Sequence, residues 1–240
     1  LIEVFESIGV NVTWTEAHSL TIKVGKIHTR NLKADSAGKI RSGLMMIGSL
    51  THHISEFSLP HSGGCKMGAR TIAAHRYGLS PLGIEIKTND DSYHISTHKK
   101  IKNKVVMYES SDTATTNVLL AASRIEGQTE IIFAQQNYMV MDVCYFLQKL
   151  GVRIDGMGSH RIIVHGKKEF NVNVEHSNSE DPIEAMFFIS AAIVTHSSIT
   201  ITRVPIDFLE LELLKLELMG LKYSRTKPYL SRNEKTNLVD

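Results

Sequence analysis

The groups best placed to do chemistry in this chain crowd into nine residues, Ser62-Gly63-Gly64-Cys65-Lys66-Met67-Gly68-Ala69-Arg70. Glycines let a backbone turn tightly and bring its N–H groups close to a ligand. The stretch follows a strand-like run, Glu56-Phe57-Ser58-Leu59, broken by Pro60, and leads into a helical run from Thr71 to Leu82. A helix starting just after the loop would add partial positive charge there, which favours anions. Lys66 and Arg70 add two full charges of the same sign. Cys65 is one of only two cysteines; cationic neighbours and helix N-termini are what make a thiol reactive. A structural glycine-rich turn with a bystander cysteine is the plain alternative. Gly63 and Gly68 have the spacing of a P-loop. That reading fails, because Ala69-Arg70 stands where a P-loop needs Lys followed by Ser or Thr.

The elements that must carry this loop are set by a chain of 240 residues, long enough for one large domain or two small ones. With 42% hydrophobic and 22% charged residues, it has the composition of a globular protein. A net charge of +2 is too small to argue for nucleic acid or an anionic membrane as partner. Cys65 and Cys144 form no disulfide framework, so a cytoplasmic location is expected. No apolar run approaches the roughly 20 residues of a membrane span. The twelve histidines show no zinc-ligand spacing, so no metal is expected, and most are read as surface residues. The chain opens at Leu1 inside an amphipathic pattern (Ile2, Phe5, Ile8), and a piece of a longer protein is the expectation.

The chain is a repeat. An apolar helical run, a glycine and an alternating strand recur at Gly9, Gly83, Gly151 and Gly220, roughly 70 residues apart. Each glycine stands where a helix end wants a left-handed residue. Second strands follow the first three copies at Ser19 to Val24, Ser92 to Thr97 and Ser159 to Val164. Upstream, helical runs (Ile40 to Ile54, Thr115 to Ile125, Ile183 to Thr195) lead to strands at Glu56 to Leu59, Thr129 to Phe133 and Ser198 to Val204. Second helices are expected over Arg70 to Leu82, Tyr138 to Leu150 and Pro205 to Met219. The unit is therefore βαβαββ-like, in the α/β (α+β) class. Cys144 lies in an apolar helix and reads as core. The polar stretch Lys167 to Asp181 is the candidate linker.

These repeated units, with a Gly-Gly-Cys loop running into Gly-Ala-Arg, resemble the enolpyruvyl transferases. The likeness runs from Leu1 to about Tyr223 and includes Ile125-Glu126-Gly127-Gln128-Thr129 and Asp181-Pro182-Ile183-Glu184. Within that family the cysteine points to the branch acting on UDP-N-acetylglucosamine. The resemblance implies an inside-out α/β barrel, with residues 1–174 most of the first barrel domain, 175–180 a linker and 181–240 the start of a second. It implies transfer of the enolpyruvyl group of phosphoenolpyruvate to the sugar 3-hydroxyl, a step of peptidoglycan synthesis, by a monomer with no cofactor.

Carried over by residue, Cys65 is the acid toward the phosphoenolpyruvate methylene and the site of fosfomycin alkylation. Arg70 holds phosphate and carboxylate, as a bidentate guanidinium can. Lys66 lies in the same loop, and Arg41 matches another active-site arginine. Thr71, Ile72, Ala73, Ala74 and His75 occupy the segment lining the uridine, where the usual Pro and Asp are here Thr71 and Ala73. Ser110, Ser111, Asp112 and Thr113 match the loop cradling the diphosphate, with Glu109 where the family often has Lys and Thr113 where it often has Gly. Those departures keep two alternatives open: a 3-phosphoshikimate carboxyvinyltransferase-like enzyme, and a degenerate scaffold that has lost turnover.

Overall fold

The structure, a computed structural model, describes residues 1–61, 63, 71–99 and 103–240. Cys65, Lys66 and Arg70 therefore lie outside the described residues. The chain starts with α1 (Ile2–Ser7) and the hairpin β1 (Val10–Glu16) and β2 (Ser19–Val24). Next come α2 (Ala34–Gly38), a 3-10 turn over Arg41–Met45, α3 (Met46–Leu50), β3 (Glu56–Pro60) and α4 (Ala73–Leu79), then β4 (Ile84–Thr88) and β5 (Ser92–Thr97). One complete βαβαββ unit follows: β6 (Lys104–Val106), α5 (Asp112–Ser123), β7 (Gly127–Ile132), α6 (Tyr138–Lys149), β8 (Arg153–Asp155) and β9 (Arg161–Gly166). The last elements are α7 (Pro182–Val194), β10 (Val204–Pro205), α8 (Glu210–Leu218), β11 (Tyr229–Leu230) and β12 (Asn237–Val239).

Local chemistry explains the boundaries. Ser111 Oγ accepts from Ala114 N–H and Asn137 Oδ1 from Val140 N–H, capping α5 and α6. Asp181 caps α7, whose first residue is Pro182. In β4 the alternation Ile84-Glu85-Ile86 turns both isoleucines inward and the glutamate out.

The repeat is visible in strand order. The four-stranded sheet runs β6-β7-β9-β8, with β6 parallel to β7 and the other pairs antiparallel. The sheets β3-β5-β4 and β10-β12-β11 reproduce its last three strands in the same order. The four marker glycines share one backbone state, φ 95°, 82°, 84° and 99°, each just past a helical segment. Gly83 shows why glycine is required. A Cβ there would lie 2.6 Å from the His98 carbonyl oxygen, because His98 N–H donates back to Gly83 O at 2.7 Å.

Two expectations are corrected. The strand expected over Ser198 to Val204 is only Val204–Pro205, because Arg203 sits in the left-handed region at φ 62° and breaks the extended run. In the fourth copy, residues 221–228 carry neither helix nor strand, and the hairpin starts at Tyr229. Leu221-Lys222-Tyr223 offers only a short alternation, and Pro228 brings no N–H to a ladder.

The chain divides into two compact units, Leu1–Gln136 with Gly151–Asn171, and Asn137–Leu150 with Val172–Asp240. In this division α6 groups with the later part of the chain. Residues 167–181 lack helix and strand, yet their second half is not a loose tether. Ser179 donates from its N–H and its hydroxyl to Asp142 Oδ1, and Lys149 Nζ donates to Glu175 O at 2.7 Å.

The first unit has the deeper core. In it α5 packs against α3, α4 and β9 and is buried along nearly its whole length. Gly48 and Gly78 permit the approach: a Cβ on Gly48 would meet Asn117 Oδ1 at 3.0 Å, and one on Gly78 would meet Val118 Cγ2 at 2.9 Å. The second unit has a smaller core of Ala185, Val204, Ile206, Leu209, Leu213 and Val239.

The glycine geometry yields a differential expectation. Gly83→Ala and Gly220→Ala share the left-handed backbone cost, about 1 kcal/mol. Only Gly83→Ala also meets carbonyl oxygens, whereas nothing lies within 4 Å of a Cβ on Gly220. Urea unfolding should show the larger loss for Gly83→Ala; equal losses would mean that the close approach at Gly83 is not tight.

Candidate functional site

The residues singled out for chemistry come together in the first unit from separate places in the chain. The 3-10 turn after α2 brings Arg41, the entry to α4 brings Thr71 to His75, and the amino end of α5 brings Ser111 to Thr113. Gly63 and Thr71, the described residues on either side of positions 64–70, both have partners in Gly38–Arg41. Gly63 N–H donates to Gly38 O, and Arg41 Nη2 donates to Thr71 O at 3.4 Å.

His75 is the centre of this cluster. It is 2% exposed, the one histidine fully buried among the described residues. Its Nε2 lies 3.4 Å from Thr113 Oγ1 and its Nδ1 3.0 Å from Asn117 Nδ2. Burial drives its pKa down to about 4, the Arg41 charge pushes the same way, and Asp112 opposes both weakly. His75 is therefore a neutral ring across the physiological range. At the amino end of α5 the donors already have local partners: Thr113 N–H reaches Asp112 Oδ1 at 2.7 Å, and Ala114 N–H reaches Ser111 Oγ. An anion arriving here competes with those contacts.

The other expected residues fall in place with different exposure. Ile72 and Ala74 are buried and Ala73 half-buried, so the buried pair of the uridine segment can offer backbone only. Thr71 and Ser110 are exposed; Ser111, Asp112 and Thr113 are half-buried. Asn117 is the site residue that sequence reasoning missed. Its signal was there: a carboxamide inside the apolar run Ala114 to Ala122 must find partners if that helix is buried. Cys144 is fully buried, and burial pushes its thiol up to about 12, as a core residue requires.

Another concavity lies elsewhere among the described residues. A cavity of about 1030 Å³ in the second unit is lined by Ile189, Ile193, Ile201, Leu213, Leu216 and Leu221 among others, and by none of the expected site residues. Lys222 and Arg225 also line it, beside the apolar side chains. Among the described residues no group of three metal-ligating side chains occurs and no helix is long and apolar enough to cross a membrane.

Comparison with known proteins decides the family. Residues 1–238 match the family model described as EPSP synthase (3-phosphoshikimate 1-carboxyvinyltransferase). The chain belongs to the EPSP synthase family. Within that family it is 34% identical over 210 residues to a UDP-N-acetylglucosamine 1-carboxyvinyltransferase of Coprothermobacter proteolyticus, covering 87% of this chain and 49% of the relative. It is 32% identical over 204 residues to the protein of that name from Treponema denticola, covering 85% and 47%. The chain thus spans about half the length of the curated relatives it matches. Among solved structures, the enolpyruvyl transferase NikO from Streptomyces tendae superposes with TM-score 0.75 over 99% of this chain and 55% of that one, at 19% identity. EPSP synthase from Acinetobacter baumannii gives TM-score 0.65 at 18% identity, covering 99% and 54%. The fold is therefore the α/β fold of the EPSP synthase family.

The neutral histidine at the centre of this site has a thermodynamic signature. Its folded pKa is below the unfolded value of 6.5, so its contribution is fully present above pH 6.5. Below that the unfolded chain takes up a proton that the folded one does not, and stability falls until pH reaches about 4. The full effect is on the order of 3 kcal/mol. In urea titrations His75→Gln should flatten the loss of stability between pH 6.5 and 4; an unchanged pH slope would place the ring in water.

Proposed function

We propose that the protein carrying this chain transfers the enolpyruvyl group of phosphoenolpyruvate to the 3-hydroxyl of UDP-N-acetylglucosamine. The observation that supports the reading most is convergence. Arg41, the Thr71–His75 segment and the Ser111–Thr113 turn meet in one cluster, and Thr71 directly follows, in sequence, the stretch that holds Cys65, Lys66 and Arg70. The relatives' printed name supplies the acceptor. An inside-out barrel of such units, with α5 inside, belongs to the same proposal, as do residues 1–174 as most of one barrel domain.

In this reaction the sugar 3-hydroxyl adds to C2 of phosphoenolpyruvate while C3 takes a proton. The hydroxyl loses its own proton as it adds; C3 then gives up a proton as the C2–O bond to phosphate breaks, which restores the C2=C3 double bond and releases phosphate. Cys65 supplies the proton to C3. Arg70 and Lys66 neutralise phosphate and carboxylate, and Arg41 adds a third cation. Thr71 to His75 line the uridine, and Ser110 to Thr113 face the diphosphate. Neither metal nor cofactor takes part, the protein works as a cytoplasmic monomer, and nucleic acid and membrane are not partners.

A second reading has a specific observation behind it. Two carboxylates, Glu109 and Asp112, stand at the turn where a diphosphate would lie, and Asp112 already occupies the Thr113 N–H. That arrangement favours a homologue without turnover. Calorimetry with UDP-N-acetylglucosamine separates the two, since the scaffold reading expects no heat of binding.

The active reading makes a labelling expectation. In the full-length protein, an anionic epoxide such as fosfomycin should form one adduct, on the peptide containing Cys65. Arg70→Ala should slow it about tenfold or more, as loss of a charge-assisted contact does. The buried Cys144 thiol should remain unlabelled. First labelling at Cys144, or equal labelling of Cys65 without Arg70, would remove the anion-site account.

A further inference from the structure

The hydrogen bonds around Asn117 leave only one arrangement of hydrogens, and it runs outward to the candidate site. Asn117 is completely buried on α5. Gly48 N–H can only donate and Leu44 C=O can only accept, so these two groups fix which way the amide points. Oδ1 accepts from Gly48 N–H at 2.8 Å, and Nδ2 donates to Leu44 O at 2.6 Å. The second hydrogen of Nδ2 is left for His75 Nδ1 at 3.0 Å, which must accept it. A neutral imidazole that accepts at Nδ1 carries its proton on Nε2. That Nε2–H faces Thr113 Oγ1 at 3.4 Å, so the hydroxyl accepts there and keeps its own hydrogen to give away. Thr113 is half-buried at the amino end of α5, so that hydrogen has an outlet toward solvent.

We infer that Asn117 is a positioning residue, fixing His75 as the Nε2–H tautomer and through it turning the Thr113 hydroxyl outward as a donor to a phosphoryl oxygen of the nucleotide sugar. The ligand part rests on the function proposed above; the tautomer does not. The device also gives a reason for a hydroxyl at position 113, where the resemblance leads one to expect glycine. With Glu109 in place of a cation, a neutral donor held in one orientation adds a contact to the diphosphate without adding charge.

Gly48 belongs to the same device. A Cβ there would run first into the backbone carbonyl oxygen of Asn117 and then into Asn117 Oδ1 at 3.0 Å, so glycine lets the α3 backbone come close enough to α5 for its N–H to reach the amide. The groups facing His75 come from two elements: Arg41 from the 3-10 turn, and Asp112, Thr113 and Asn117 from α5.

The test has two arms in the full-length protein. Nitrogen-15 labelling of histidine reports the tautomer: the wild type should show a proton on Nε2 and an unprotonated Nδ1 for His75. Asn117→Asp, which keeps the shape and removes the donor, should switch the proton to Nδ1. A wild-type spectrum with Nδ1 protonated overturns the positioning role. In the second arm, calorimetry with UDP-N-acetylglucosamine should show Thr113→Val weakening binding about tenfold, Thr113→Ser restoring it, and Asn117→Asp adding little to Thr113→Val in the double variant. Equal affinity of wild type and Thr113→Val overturns the donor role of the hydroxyl. A wild type that binds no UDP-N-acetylglucosamine ends the proposed function and the ligand role of Thr113, while the histidine spectrum still decides the role of Asn117. If Asn117→Asp does not fold, the wild-type spectrum and the Thr113 pair still decide both roles.

Discussion

One buried carboxamide organises the first unit. Removing an amide from water without partners costs several kcal/mol, so a wholly buried asparagine persists only where every hydrogen-bonding position is met. Asn117 meets them with a backbone N–H from α3, a backbone carbonyl from the turn before it, and a ring nitrogen from α4. Three helical segments are thereby referenced to one side chain, at distances that leave little room for sliding. Apolar packing alone gives no such registry, because it rewards buried area and not direction. The same geometry demands Gly48, and it makes His75 a fixed neutral ring instead of a mobile titrating one.

The repeat was legible because its markers are backbone-driven. A glycine after a helical run is required where the chain must enter the left-handed region, and all four marker positions have that conformation. Strand pairs with clear alternation, such as Ile84 to Thr88 and Ser92 to Thr97, are legible in place because one face is buried. Legibility ends where tertiary partners decide. Ser198-Ile199-Thr200-Ile201-Thr202 alternates as a strand should, yet these residues form none, and the ladder is left to Val204 and Pro205. Alternation states which side faces a core but cannot supply the neighbouring backbone that a strand bonds to.

The candidate site was legible in kind and not in wiring. Residue types at Arg41, His75 and Ser111 to Thr113 marked the places, and the structure brings them into contact range of one another. Nothing in the spacing said that His75 faces inward or that Ile72 and Ala74 are buried. Those facts depend on where α4 crosses α5, which Gly78 sets by allowing approach to Val118. The signal of Asn117 could be read only with the helix in place: Thr115-Thr116-Asn117 is an ordinary polar step until burial obliges the carboxamide to find partners.

The electrostatics of the site turn on how much weight Glu109 and Asp112 carry. Glu109 is exposed, and an exposed charge several ångströms from an anion is worth about 1 kcal/mol or less in water and is screened by salt. The amino end of α5 opposes it with a comparable term, roughly 0.3–1 kcal/mol. In an open, wet site the two nearly cancel, so a diphosphate would gain little at this turn from charge alone. Directional contacts then decide. A hydroxyl whose acceptor side is taken by His75 can act only as a donor to the ligand, and it needs no reorganisation when the anion arrives. Arg41 is the complementary element, since a half-buried guanidinium keeps more of its interaction energy than an exposed one. If water is expelled when substrate binds, every charge term grows, including the repulsion from Asp112. Asp112, whose Oδ1 accepts from the Thr113 N–H at 2.7 Å, is the carboxylate that a diphosphate bound as proposed would have to displace from that donor.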